Sequence, residues 1–583
     1  MKDLFLGTAL ALFGLVAAAP APRPLPPSPV LEERVANPTV TMSSGGSVVG
    51  TSNSVTEAFN GIPFASPPTG QLRLKPPVKR NSSTLAAFDA TGQAAACPQF
   101  FVSTGSNDLI SEILSTVVDL PFFQTVTDQN EDCLNLNVVR PAGTTAGDNL
   151  PVLFWIFGGA FELGWTSMYD PTSLVASAVA MGKPYVFVAV NYRVGGFGFM
   201  PGKEILADGS SNLGLLDQRM GLEWVADNIA SFGGDPSKVT IWGESAGAMS
   251  VFDQMALYGG NNKYNGQPLF RGGIMDSGSI VPADPVDCPK GQAVYNTVVA
   301  KAGCSAASDT LACLRGVDYQ TFLNAANSVP ALLSYSSVAL SYLPRPDGNV
   351  LTDSPEVLVK NGQYAAVPMI IGDQEDEGTL FSLFQANTTS TTSDLVDYLS
   401  TIFFHDATEA QLTELVDTYD SSLTAGSPFR TGIFNEIYPG FKRLAAILGD
   451  LVFTLTRRAF LAEAVTLNPS VPAWSYLASY DYGTPILGTF HATDLLRVFY
   501  GLLPNYASKS IQSYYANFVY NLDPNDASGG TSVGSSAVAM QWPLWASNNQ
   551  LMQFFNNGAS LLADDFRSTS YDWIVSNVAS LHV

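Results

Sequence analysis

A serine hydroxyl is a poor nucleophile near neutral pH and attacks an acyl carbon only when a nearby base takes its proton. Residues 232–247, FGGDPSKVTIWGESAG, offer such a serine. Val239 to Trp242 reads as a β-strand that runs straight into Gly243-Glu244-Ser245-Ala246-Gly247. This is the G-x-S-x-G elbow, a turn so tight that the positions two before and two after the serine must carry almost no side chain. It lifts the serine Oγ to the end of a sheet, over a helix N-terminus. The pattern predicts acyl transfer with Ser245 as nucleophile. A bare G-x-S-x-G also occurs in ordinary turns, so the strand in front and the remaining parts of the machine decide its meaning.

The base is sought among three histidines, His405, His491 and His582. His582 is the penultimate residue, which predicts a frayed end. His405, in Phe403-Phe404-His405-Asp406, reads as a packing position beside a helix. His491 lies in Gly488-Thr489-Phe490-His491, a loop shortly after a predicted strand. With an elbow of this kind the chain order is serine, acid, histidine, which selects His491. The acid that orients the imidazole is expected in Asp373-Gln374-Glu375-Asp376-Glu377, after an apolar strand. The residue types alone leave Asp373, Glu375, Asp376 and Glu377 open. A tetrahedral intermediate also needs backbone N–H donors for its oxyanion. Phe157-Gly158-Gly159-Ala160-Phe161 follows a strand, and the amides of Gly159 and Ala160 with that of Ala246 would make a three-donor hole.

The elements that must hold these groups are apolar runs of strand length: Val152 to Phe157, Tyr185 to Val190, Val239 to Trp242, Gly273 to Met275, Met369 to Ile371 and Trp474 to Ala478. Continuous apolar runs suit strands buried on both faces. Helical periodicity lies between them, as in Leu216 to Ile229. The alternation predicts an α/β fold around a large, mostly parallel sheet with helices on both faces. Gly529 to Ser536 reads as an exposed Gly/Ser-rich loop.

The chain has 583 residues, 46% of them hydrophobic, enough for a large core. The catalytic parts run from about residue 159 to 491, so residues 36–583 are read as one domain with insertions rather than several. Net charge is −23, from 28 basic and 51 acidic residues, which argues against nucleic acid and anionic membranes as partners. Residues 1–19 read as a signal peptide: Lys2, an apolar stretch from Leu4 to Val16, and a small-residue cleavage site at Ala17-Ala18-Ala19. Residues 20–35 read as a Pro-rich linker or propeptide. No later stretch is long and apolar enough for a transmembrane anchor. A secreted protein keeps disulfides, and of five cysteines at least one must stay unpaired. Asn81 and Asn387 open glycosylation sequons. No metal-ligand cluster or nucleotide loop is found, and the chemistry calls for no cofactor.

Taken together, these residues resemble the type-B carboxylesterase/lipase family of the α/β-hydrolase fold. The elbow matches the family signature from Phe232 to Gly247. Glu131-Asp132-Cys133-Leu134 resembles a second signature, departing from it at Asn135. Gly61-Ile62-Pro63-Phe64-Ala65, Asn191-Tyr192-Arg193 and residues 213–219, LGLLDQR, are similar as well. Within the family the likeness is to fungal Candida rugosa-type lipases and sterol esterases. It rests on residues 155–161, WIFGGAF, on Gly372-Asp373-Gln374, and on Gly488-Thr489-Phe490-His491. The resemblance implies Glu377 as the acid, with Asp373, Glu375 and Asp376 in supporting roles. It also implies disulfides Cys97–Cys133 and Cys304–Cys313, leaving Cys288 free.

The same resemblance implies a lid within the 97–133 loop, and the residues there agree. Asn107 or Asp108 can cap a helix that ends before Pro121. Leu109, Ile110, Ile113, Leu114, Val117 and Val118 form its apolar stripe, opposite Ser111, Glu112, Ser115, Thr116 and Asp119. Opening at a lipid interface is expected, with a homodimer through this region as a possible partner arrangement. The family also implies an acyl tunnel, with Phe381 and Phe384 as wall residues. The function expected is secreted hydrolysis of long-chain fatty acyl esters, of sterols and glycerol, through an acyl-enzyme on Ser245. The alternatives are a short-chain carboxylesterase and, more distantly, a non-catalytic adhesion-type member of the fold.

Overall fold

The computed structural model describes residues 37–43, 45–81, 83, 85–100, 128–502, 504–525, 531–533, 536–538 and 540–583. The signal peptide, the linker and the six-residue apolar stripe of the expected lid helix lie outside the described residues.

An 11-stranded sheet runs through the molecule. In chain order its strands are β1 (Thr51–Ser52), β2 (Thr56–Pro63), β3 (Asn135–Pro141), β4 (Leu150–Ile156), β5 (Val186–Val190), β6 (Gly234–Glu244), β7 (Gly272–Asp276), β8 (Met369–Gln374), β9 (Ala473–Ala478), β10 (Gln550–Phe555) and β11 (Gly558–Ala563). Their spatial order is β11-β10-β9-β8-β7-β6-β4-β5-β3-β2-β1. From β5 to β10 the neighbours pair in parallel; β1, β3 and β11 pair antiparallel with theirs. Every residue of β5, β7, β8 and β9 is buried. That is the physical reason their sequences are apolar runs rather than alternating patterns: both faces are covered.

Five helices matter for the site: α1 (Leu213–Asn228), α2 (Ala246–Gly260), α3 (Pro355–Lys360), α4 (Leu455–Leu467) and α5 (Ser568–Asn577). The expected helix from Leu216 to Ile229 is α1, three residues longer at its start. The strand expected from Val239 begins at Gly234, because Leu150 of β4 already pairs with Gly234 there. A second apolar cluster, around Leu380, Phe381, Phe403, Phe441 and Leu444, sits apart from the main core and includes Ala160, Leu332 and Leu333. The Gly/Ser-rich segment is not a plain loop: Thr531–Val533 pairs antiparallel with Ser536–Val538. Its β-branched residues favour extended backbone.

Several of the motif residues that carry no chemistry prove to be buried struts. Arg73 donates two hydrogen bonds to Glu131, at 2.6 and 2.8 Å. Arg193 does the same to Asp217, both at 2.8 Å. Such bidentate pairs hold elements far apart in sequence in one geometry. Cys97 is bonded to Cys133 and Cys304 to Cys313, and Cys288 is a buried free thiol.

Candidate active site

β6 delivers Ser245 directly onto the first turn of α2. The serine backbone is held at φ 56° and ψ −126°, a conformation that costs on the order of 1–3 kcal/mol for a residue with a side chain. A Cβ on Gly243 would fall 2.2 Å from the Gly247 carbonyl oxygen, and one on Gly247 would fall 2.1 Å from that of Ile156. Neither clash can be relieved, since both partners are backbone. The strain is held from below: Ser245 N–H donates to the Asp276 carbonyl at 2.9 Å. The Asp276 carboxylate is in turn fixed by Trp242 Nε1 at 2.8 Å, Tyr476 OH at 3.0 Å and Tyr515 OH at 2.5 Å.

The loop after β9 places His491 Nε2 2.8 Å from Ser245 Oγ, and His491 Nδ1 2.5 Å from Glu377 Oε2. Glu377 Oε1 accepts the Gln374 N–H at 2.7 Å, which leaves Oε2 aimed at the imidazole. The ring is packed between Phe381 and Phe453, at centroid distances of 5.0 and 4.7 Å. The structure therefore brings Ser245, Glu377 and His491 together.

It sends the other three carboxylates of the acid turn elsewhere. Asp373 accepts from Arg457 at 2.7 Å, and Glu375 pairs with Arg430. Asp376 accepts from Ser427 Oγ and from the Phe429 and Thr489 amides, at 2.8, 2.8 and 3.0 Å. Burial raises the Asp376 carboxyl to about 7, with the Glu375 charge adding to it. Through Thr489 this group ties the acid turn to the histidine loop.

The turn after β4 sits over the elbow. Gly159 has φ 108°, and Ala160 and Phe161 have φ 56° and 57°. The Phe157 carbonyl accepts from Tyr192 OH at 2.7 Å, and the Phe161 carbonyl from the Gly195 amide at 2.6 Å. These bonds occupy the two carbonyls that bracket the turn. The Ala246 amide is the first of α2 and has no carbonyl one turn back. Gly159, Ala160 and Ala246 line the same cavity as Ser245 and His491, so amides from two elements border one space. The stem of the 97–133 loop is fastened here too: Phe100 N–H donates to the Glu162 carbonyl at 2.9 Å. The Gln99 side chain bonds both the N–H and the C=O of Gly164, at 2.6 and 3.2 Å.

Two buried carboxyls at this site escaped the sequence reading. Glu244, inside the elbow itself, has Oε1 3.4 Å from His491 Nε2 with no hydrogen-bond partner for that oxygen. Burial, and then the charges of Asp494, Glu377 and Asp276, push it well above the ordinary carboxylate range. Glu162 accepts the Leu332 N–H at 2.8 Å, and burial raises it to about 8. A Glu after the Gly-Gly turn was visible in the sequence; its partner 170 residues away was not.

The cavity over Ser245 has a volume of about 400 Å³. Its walls are mostly apolar, and Phe381 lines it. Phe384, expected beside Phe381, does not; it packs half-buried against the second apolar cluster. His405 is exposed rather than packed. His582 is not frayed: its Nε2 lies 2.8 Å from Glu356 Oε1 and its Nδ1 3.6 Å from Asp284. Asn81 and Asn387 are both exposed. Among the described residues no His/Cys/Asp/Glu group forms a metal site, and no helix is long and apolar enough to cross a membrane.

Comparison with known proteins gives a consistent result. A sequence model described as "Carboxylesterase family" matches residues 36–572. A secreted triacylglycerol lipase of Gibberella zeae is 61% identical over 592 residues, spanning 99% of each chain. A secreted lipase of Botryotinia fuckeliana is 61% identical over 95% of each, and Lipase 5 of Diutina rugosa is 48% identical over 94% of this chain and 97% of its own. Among solved structures, Aspergillus niger EstA superposes with a TM-score of 0.76 at 26% identity, covering 94% of this chain and 99% of its own.

Proposed function

Because this chain belongs to the carboxylesterase family, and is a secreted carboxylic ester hydrolase, we propose that it is a lipase cleaving long-chain acyl esters through a covalent acyl-enzyme on Ser245. The observation that carries this reading is the relay Ser245 Oγ–His491 Nε2 at 2.8 Å and His491 Nδ1–Glu377 Oε2 at 2.5 Å, opening onto an apolar cavity of about 400 Å³.

In the first half-reaction Ser245 Oγ attacks the ester carbonyl as His491 Nε2 takes its proton. Glu377 holds the imidazole in the tautomer that can do so and stabilises the imidazolium. The oxyanion is received by the amides of Gly159, Ala160 and Ala246; losing one such donor costs about 3–4 kcal/mol of transition-state stabilisation. The tetrahedral intermediate collapses, the alkoxide leaves with the proton from His491, and the acyl group remains on Oγ. Water, deprotonated by the same nitrogen, repeats the sequence and releases the fatty acid. The acyl chain lies along the apolar cavity, against Phe381. The 97–133 loop acts as the lid that opens at a lipid surface. Its disulfide and the apolar stripe in its sequence support this role. The homodimer expected through that stripe falls on residues outside the described ones.

The substrates proposed are triacylglycerols, in line with the Gibberella zeae relative, and sterol esters, as the branch resemblance implies. Initial rates on triolein and cholesteryl oleate in matched detergent micelles test this, with Ser245→Ala as the blank. Ser245→Ala should fold normally and lose hydrolysis of both. Activity surviving that change rejects the mechanism, and cleavage of triolein alone removes the sterol esters.

A further inference from the structure

Ser245, Met249 and Asp253 are spaced by four residues, so they lie along one face at the start of α2. Met249 and Asp253 both line the cavity that opens on Ser245. The helix departs from regular geometry only from Leu257 onward. At the helical rise, Asp253 therefore stands about 12 Å along the helix axis from the nucleophile. The same cavity is lined by Val359 and Lys360 of α3 and by Ala459 and Glu463 of α4.

Asp253 is 4% exposed. Among the described residues no group hydrogen-bonds or ion-pairs with its carboxyl, and burial is the sole influence on its ionisation. The hydroxyl of Thr456, also on the wall, is spent on the carbonyls of Val452 and Phe453, at 3.0 and 2.9 Å. A carboxyl in such a place is costly unless something in the cavity bonds to it. An alkyl chain passing it strips it of water and returns nothing. A hydroxyl at that depth both donates and accepts. Burial raises the Asp253 carboxyl to about 8, so near neutral pH it keeps its own proton and reciprocates.

We propose that Asp253 is a polar subsite in the acyl cavity, recognising a hydroxyl borne part-way along a long acyl chain. The enzyme then takes esters of mid-chain hydroxylated fatty acids in preference to their unsubstituted counterparts. This rests on the reading of the cavity as the acyl site.

The test compares kcat/KM for p-nitrophenyl stearate with that for a positional series of p-nitrophenyl hydroxystearates, in matched micelles. The proteins are wild type, Asp253→Leu and Asp253→Asn. In wild type the best positional isomer should exceed stearate by about tenfold, the worth of one well-made hydrogen bond. Isomers with the hydroxyl beside the ester or at the chain end should show no preference. Asp253→Leu should collapse the ratio to about one and raise the rate on stearate; Asp253→Asn should retain part of the preference. A ratio near one at every position in wild type overturns the proposal, as does a preference that survives Asp253→Leu. The wild-type series decides by itself if Asp253→Leu does not fold. Met249→Trp, which narrows the cavity between Ser245 and Asp253, separates the two levels of the reading. If it leaves the stearate-to-butyrate ratio unchanged, the cavity is not the acyl site. If that ratio falls while wild type shows no hydroxyl preference, only the Asp253 subsite is lost.

Discussion

Glu244 Oε1 lies 3.4 Å from His491 Nε2, the same nitrogen that meets Ser245 Oγ at 2.8 Å. Two glutamates thus flank one imidazole, but their environments differ. Glu377 is fixed by the Gln374 amide and bonds Nδ1. The Glu244 oxygen has no partner, and burial among Asp494, Glu377 and Asp276 favours its protonated form. Of the two, only Glu377 bonds the ring nitrogen opposite the one that meets Ser245.

Glu377→Gln should therefore lower kcat by about 10³–10⁴-fold, by analogy with loss of the orienting carboxylate in other serine hydrolases. Glu244→Gln exchanges one neutral group for another and should cost less than tenfold. Steady-state rates on a soluble p-nitrophenyl ester at neutral pH measure both. Equal losses would mean that the assignment of the acid is wrong.

Asp253 should make stability depend on pH in an unusual direction. Its folded-state value is about 8 against 3.8 for a freely solvated aspartate, so folding binds a proton between those limits. Stability is then unaffected by this residue below about pH 4, falls as pH rises, at about 1.4 kcal/mol per unit, and levels off above about 8. Asp253→Asn removes that slope. The melting temperature of the variant relative to wild type should rise steadily from pH 5 to pH 8; a constant difference would show that the carboxyl is ionised throughout.

Glu162 joins the turn bearing Gly159 and Ala160 to Leu332 in the cavity wall. Glu162→Ala leaves a buried amide unpaired, with an expected cost of about 1–3 kcal/mol in stability and a loss of kcat larger than any change in KM. Glu162→Gln keeps an acceptor and should restore most of both. Denaturant unfolding alongside kinetics checks this; a Gln variant as impaired as Ala would mean the hydrogen bond is not what matters.

His582 is raised to about 9 by its bonds to Asp284 and Glu356. A raised base stabilises the fold fully below its unfolded value near 6.5, and that contribution fades as pH climbs through 9. His582→Ala should lower the melting temperature at pH 6 and have little effect at pH 10. Equal shifts at both would indicate lost packing rather than lost charge.

Much of this site was legible in the chain because its chemistry is local. The elbow is five consecutive residues whose steric demands permit almost nothing else, and each sheet strand announces itself as a run buried on both faces. His491 followed from chain order once three histidines were the only choices. The acid turn shows where legibility stops. Asp373, Glu375, Asp376 and Glu377 are four carboxylates within five residues, and their directions depend on Arg457, Arg430, Ser427 and His491, which lie 51 to 114 residues further on. The resemblance to the family selected Glu377; composition did not.

The sequence by itself determined the reaction class and the layered α/β architecture, and pointed to the nucleophile proposed and the order of its helpers, since each is written in short-range pattern. Which side chains turn toward the cavity was decided only by the tertiary structure. Phe381 packs on the imidazole while Phe384 turns away. The penultimate His582 is held by Glu356, 226 residues earlier. Asp253, unremarkable in an apolar helix, stands unpaired on the face it shares with Ser245. The reason is physical. Burial and hydrogen-bond partnership are set by elements that meet in space but not in sequence, and those two properties fix what a carboxyl or an imidazole can do.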